Sequence, residues 1–209
     1  MSTLTKAELI KRLKDREIVV TPILDPSQIG DASIDVRLSN QFIVFRMHTF
    51  KSYPDQNDPN QSLRRMQERQ VLRYGSPFIL HPGMLALGCT MEYLKMPQGL
   101  ECQVEGRSSW ARVGLEIATA NSIEPGFTGV VTLELSNAGT IPLEMFPGAR
   151  VAQLVFREAK PPLAKAYDGK RKYRSAVGPE FSRLADDPDL AVFRTQVLGA
   201  EPPPTEKEG

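Results

Sequence analysis

Two periods of apolar spacing divide the chain. Leu9, Ile10 and Leu13 form a short stripe at helical spacing, and Thr5 precedes Glu8 at the separation of a capping box. Together they predict one amphipathic helix ending near Asp15. Beyond it the period falls to two. In SIDVRL the apolar Ile34, Val36 and Leu38 alternate with Ser33, Asp35 and Arg37, and Gln41–Phe45 continues in a β-rich composition. Leu100, Cys102 and Val104 alternate in the same way, as do Val131, Leu133 and Leu135 in VVTLELSN. These are predicted strands. From Phe78 onward short apolar segments are punctuated by Pro82-Gly83, Pro125-Gly126, Gly139 and Pro147-Gly148, a spacing that suits an all-β barrel or sandwich better than alternating helices and strands.

The flanks read differently. Residues 51–72 carry Pro, Asn, Asp and Gln followed by a charged, helix-compatible piece, and are expected to form a long surface excursion outside the core. After Phe156 the chain turns basic and irregular, with Tyr167–Arg183 reading as an arm that orders against something. The terminal EPPPTEKEG cannot bury a core. The expected organisation is one domain over residues 1–200 and a disordered tail over 201–209.

Composition narrows the function classes. Among 209 residues, 26 basic and 25 acidic side chains leave a net charge of +1, so no global field favours nucleic acid or an anionic membrane. The N-terminus is charged, without the apolar segment of a leader, and no apolar run approaches the roughly 18 residues of a spanning helix. A cytoplasmic protein is expected. Cys89 and Cys102 are the only cysteines and both sit in strand-like apolar settings, so they are expected to be reduced core residues. With only His48 and His81 beside them, and no Cys-x-x-Cys, a zinc site of Cys and His ligands is not expected.

Two stretches carry candidate chemistry. If Val131, Leu133 and Leu135 face the core, then Val130, Thr132 and Glu134 face the other way, so a rigid strand places Glu134. Strand position alone leaves it either a solvated glutamate or a desolvated one whose raised pKa suits a general base. In RSSWAR, the segment Arg107, Ser108, Ser109 and Arg112 predicts a short helix after a strand. Its amides, hydroxyls and guanidiniums suit a triphosphate, and equally a surface salt-bridge cluster with a serine cap.

The ordered succession EGRSSWARVGL, TANSIEPGFTG, VVTLELSN, PLEMFPGARVAQLVF and AYDGKRKYR, preceded by SIDVRL and followed by GPEFSR, resembles the dCTP deaminase branch of the trimeric dUTPase superfamily. The resemblance implies a mainly β fold: a distorted β-barrel of the dUTPase-like β-clip kind, with a short N-terminal helix and a C-terminal arm. It implies a homotrimer with nucleotide sites between subunits. The implied activity is zinc-independent hydrolytic deamination of dCTP to dUTP in pyrimidine metabolism, with dUMP as a further product in some members, and magnesium bound with the triphosphate. By position Glu134 resembles the general base. Ser108 and Arg112 resemble the residues that position base, water and glutamate, and the carbonyl of Ala120 the group that holds the water. Arg107, Ser109, Glu124, Thr132, Leu133, Gln153, Tyr167 and Lys172 complete the implied substrate contacts, the last two on the arm. A Ser/His/Asp triad has no support, because neither histidine has a pairing context.

The chain departs from the family's pattern at several positions. The loop between Arg112 and Pro125 is one residue shorter, Ser122 stands where deaminating members often carry arginine, and Glu124 replaces an aspartate. Trp110 replaces an aliphatic residue and reads as a buried anchor at a subunit contact, and Ala176 stands where the arm usually supplies a glutamine. Ser122 and Gln153 point toward dUMP as product, whereas Glu124 and Ala176 point toward dUTP. A dUTP pyrophosphatase and a nucleotide-binding sensor without turnover are the competing readings.

Overall fold

The computed structural model describes residues 2–46, 66–117, 122–159 and 175–184. The chain divides into two units, one of Met1–Phe45 with Arg69–Glu180 and the other of Arg46–Glu68 with Phe181–Gly209. In the second unit the Arg46 N–H donates to the Met66 carbonyl at 2.7 Å and its guanidinium meets Glu68 at 2.7 Å. In chain order the elements are α1 (Lys6–Lys14), β1 (Val19–Thr21), a 3-10 turn (Pro26–Gln28), β2 (Ile34–Arg37), β3 (Gln41–Phe45), β4 (Gln67–Val71), β5 (Phe78–Leu80), β6 (Leu85–Lys95), β7 (Leu100–Gly106), α2 (Ser108–Ala111), β8 (Leu115–Ile117), β9 (Ser122–Ile123), β10 (Thr128–Asn137), β11 (Leu143–Met145) and β12 (Arg150–Glu158).

The expected helix forms where its capping residues place it. Glu8 Oε2 accepts both the Thr5 N–H and the Thr5 hydroxyl at 2.8 Å, Asp15 closes the helix, and Leu9 is fully buried. The three Pro-Gly pairs each build the same turn. The carbonyls of His81, Glu124 and Phe146 accept the N–H of Met84, Phe127 and Ala149 at 3.0, 3.2 and 3.0 Å. Proline sets the second residue of each turn, and the third has φ of 72°, 82° and 94°, which glycine alone adopts without strain.

Among the described residues the strands form three sheets and no single closed cylinder. One runs β4-β3-β6-β10-β8, with β1 also pairing β6, another β2-β12-β7-β9, and β11 pairs β5. The alternation read from the sequence is the alternation of burial. Ile34, Val36, Leu100, Cys102, Val104, Val131, Leu133 and Leu135 all enter one apolar core. One expectation is corrected. Gln67–Val71, placed in the surface excursion, is a strand. Its QERQV composition conceals this because β4 ends the sheet order and keeps several polar side chains out of the core. Among the described residues no helix is long and apolar enough to cross a membrane. The tail at 201–209 lies outside the described residues.

The β6–β10 pairing contains an irregularity. Val130 pairs with Tyr93 and Thr132 with Cys89, so Val131 alone faces Thr90, Met91 and Glu92. A side chain fills the gap: the Thr90 hydroxyl accepts the Val131 N–H at 3.0 Å and donates to the Glu92 carbonyl at 2.7 Å. The buried Glu92 carboxylate in turn accepts from Gln28 Nε2 at 3.0 Å and from the Arg37 N–H at 2.8 Å. Burial raises the Glu92 pKa, and these donors oppose the rise. The bulge therefore joins the two larger sheets through hydrogen bonds inside the core.

Thr90→Val keeps the volume and orphans the Val131 N–H. It is expected to lower the unfolding free energy by about 1–3 kcal/mol, with Thr90→Ser recovering most of that loss. Urea denaturation of the three proteins measures it, and equal midpoints would show that the hydroxyl does not support the bulge.

Candidate active site

Glu134 stands on the polar face of β10, beside Thr132 and opposite the fully buried Leu133. Its partner across the ladder is the apolar Leu87. Glu134 Oε2 is buried and, among the described residues, accepts no hydrogen bond. Burial pushes the carboxyl pKa above its ordinary value, and a backbone hydrogen bond only partly offsets this. An unpartnered buried carboxylate oxygen is expensive for folding. It is also a proton acceptor with its lone pairs unspent.

Along the same strand, the Thr132 hydroxyl accepts the Glu180 N–H at 3.2 Å. The segment carrying Glu180 is tied to β10 by backbone bonds from Val130 N–H to the Ala176 carbonyl and from Ser175 N–H to the Thr128 carbonyl, both 2.8 Å. Ala176 is buried there, and a Cβ on Gly129 would lie 2.8 Å from its nitrogen. Ala176, which stands where a glutamine was expected, is thus a buried contact with β10, and the close approach of the two backbones leaves no room for a side chain at Gly129. Leu133, expected among the substrate contacts, sends its side chain into the core, leaving only its backbone on the site's strand.

The second candidate stretch forms as expected. β7 ends at Gly106, Arg107 is the N-cap of α2, and Arg112 closes it. Ser108, Ser109 and Arg112 are exposed, and among the described residues no hydrogen bond or ion pair holds the Arg112 guanidinium. Trp110 packs against the core and donates its indole N–H to the Arg150 carbonyl at 3.0 Å. Arg107 lies 3.5 Å from Asp35. On the same sheet Gln153 is held from both sides: it accepts the Ser33 hydroxyl at 3.2 Å and donates to Glu105 at 3.2 Å. Glu124 is exposed at the start of its Pro-Gly turn, and Ser122 is exposed on β9 opposite Gln103. Ala120, Tyr167 and Lys172 lie outside the described residues, as does His48.

The structure thus groups the candidates on two sheets: Thr132 and Glu134 on β10, and Gln153 with the strand leading to Arg107 on the other. The sequence reading missed Ser33, Asp35, Glu105 and Arg150, which hold Gln153 and Arg107. Their signal was present, since Asp35 and Glu105 occupy the polar phase of strands whose apolar phase is evident, and Gln153 pairs with both. Cys89 and Cys102 are buried free thiols, and burial pushes Cys89 up to about 11 and raises Cys102 further.

Comparison with known proteins gives a consistent result. The dCTP deaminase-like family model matches residues 3–159. The chain is 39% identical over 194 residues to a dUMP-forming dCTP deaminase of Methanosphaera stadtmanae, covering 91% of this chain and 98% of that one. It is 39% identical over 189 residues to a dCTP deaminase of Haloarcula marismortui, covering 88% and 95%. The crystal structure of a 2'-deoxycytidine 5'-triphosphate deaminase from Agrobacterium tumefaciens shares the fold with a TM-score of 0.59 at 23% identity. It covers 75% of this chain, which spans 48% of that longer one.

Burial of Glu134 has a signed consequence for stability. Its folded pKa lies above the unfolded value, so the folded state holds the proton more tightly and stability falls as pH rises through that window. Glu134→Gln removes the penalty. Thermal unfolding should show the variant gaining on the parent protein between pH 4 and pH 8, and a pH-independent difference would mean that the carboxylate is solvated.

Proposed function

The chain belongs to the dCTP deaminase-like family, and from that premise we propose that it hydrolyses dCTP to dUTP and ammonia, with dUMP as a further product. The observation that carries the reading is the buried, unpartnered Oε2 of Glu134 on a rigid strand. In the proposed reaction water adds to C4 of cytosine as Glu134 takes its proton, and the same carboxyl returns a proton to the departing amino nitrogen. The balance is one water consumed and one ammonia released. A carboxyl with a raised pKa suits both transfers near neutral pH.

Ser108 and Arg112 are proposed to orient base and water. Arg107 and Ser109 are proposed to meet the phosphates, with Thr132 and Glu124 beside the sugar. The Arg112 guanidinium and the exposed serines of α2 support this, because among the described residues their donors are unspent. Ala120, Tyr167 and Lys172 complete the proposal by resemblance. Magnesium enters as part of the substrate, chelated by the triphosphate. Among the described residues no three His, Cys, Asp or Glu side chains converge as metal ligands. A homotrimer in which neighbouring subunits share each site is proposed by resemblance. The two free thiols support a reducing, cytoplasmic setting.

Gln153, held between Ser33 and Glu105, favours dUMP as the second product by its resemblance to the dUMP-forming members. A time course with dCTP and magnesium is expected to show dUTP before pyrophosphate, and immediate stoichiometric dUMP would reverse that order. Turnover of dUTP alone would support the pyrophosphatase reading, and binding without any product the sensor reading. Glu134→Gln should lower kcat by about 10²–10⁴ while dCTP still binds. Parent-level turnover would make Glu134 a bystander. Sedimentation equilibrium is expected to give three times the mass of one chain, and an active monomer would remove the shared site.

A further inference from the structure

Asp35 serves two arginines through one oxygen. Its Oδ2 lies 3.5 Å from Arg107 Nη2 and 3.5 Å from Arg150 Nη1. The two guanidiniums are held very differently. Arg150 also reaches Asp25 at 2.9 Å, the Ser27 hydroxyl at 2.7 Å and the Ser27 carbonyl at 3.3 Å. Among the described residues Arg107 has, besides Asp35, a single long contact of 3.4 Å to the Arg150 carbonyl. Its side chain is 37% exposed, against 19% for Arg150 and 16% for Asp35. Arg150 is a fixture and Arg107 is the member able to move.

That asymmetry matters because Asp35 is mostly buried. A guanidinium that is the sole partner of a buried carboxylate leaves it only by abandoning an uncompensated charge. Here Arg150 remains when Arg107 leaves. We propose that Arg150 is a positioning residue which keeps Asp35 compensated, so that Arg107 can exchange Asp35 for a triphosphate oxygen at little electrostatic penalty. This rests on the reading of Arg107 as a phosphate ligand and adds how that residue is made available.

The test uses the full-length protein with two probes, dCTP and inorganic tripolyphosphate, titrated calorimetrically at fixed magnesium and salt, with kcat and KM measured in parallel. Without Arg150, Asp35 captures Arg107. Arg150→Gln should therefore weaken both probes about tenfold, the order of one charge-assisted contact, and raise KM with kcat at saturation unchanged. Adding Asp35→Asn to Arg150→Gln should restore most of the affinity, a rescue by a second loss that a merely structural role does not give. Arg150→Lys should stay near the parent. If Arg150→Gln fails to fold, Asp35→Asn alone decides, since it should bind tripolyphosphate at least as tightly as the parent. A weaker-binding Asp35→Asn, an Arg150→Gln with parent affinity, or a double variant no better than Arg150→Gln would overturn the proposal. So would an Arg107→Gln that binds tripolyphosphate like the parent. A parent that binds tripolyphosphate through Arg107 without turning over dCTP would sink the deaminase reading alone, and the tripolyphosphate titrations would still decide the role of Arg150.

Discussion

The antiparallel pairing of β6 with β10 is the interaction on which the rest depends. β10 carries the core on one face and Glu134 on the other, so the strand's register decides both at once. A slip of one residue would exchange the faces, placing a carboxylate in the core and leucines at the site. Against that, the ladder is interrupted where β6 carries extra residues opposite Val131, and Thr90 closes the interruption. Because four steps along β6 answer two along β10, the side-chain phase is the same on both sides of the bulge. The irregularity bends the pair without inverting it.

Desolvation follows from this pairing. Leu87 lies across the ladder from Glu134, and among the described residues no donor reaches Glu134 Oε2. Glu92 shows the alternative available to the same fold. That carboxylate is more buried, yet both its oxygens accept hydrogen bonds, from Gln28 and from the Arg37 backbone. One glutamate is satisfied and structural, and the other is left wanting. The burial of Glu134 without a donor for Oε2 among the described residues costs stability, and on the proposed function that is the state a proton-transferring carboxyl needs.

The strands were legible because period two survives in sequence wherever one face is buried, as in SIDVRL and VVTLELSN. The turns were legible because Pro-Gly specifies one geometry. Gln67–Val71 was not, since a strand at the end of a sheet can remain polar and periodicity then has nothing to report. Glu134 was placed on the correct face by alternation, but its missing partner is a property of neighbours distant in sequence. The same holds for Asp35 and Arg150, which come together only through the β2–β12 pairing. Ala176 shows the same dependence on distant contacts. Its backbone pairs with Gly129, a contact across 47 positions that no local pattern contains.

The electrostatics favour recognition by local donors over a broad field. With a net charge of +1, the protein has no long-range pull on a nucleotide, and several arginines near the candidate site already have carboxylate or carbonyl partners. Arg150 is held by Asp25 and Asp35, and Arg37 donates to the Gly148 carbonyl at 2.7 Å. Among the described residues the unspent capacity is concentrated in α2 and its caps, where no partner holds the Arg112 guanidinium and Arg107 is loosely tethered. On the proposed function, such a site would select its ligand at contact range, where geometry discriminates. Affinity would then depend on the placement of two guanidiniums and less on the surrounding charge, which reconciles an almost neutral chain with the proposal of a highly charged nucleotide as its ligand.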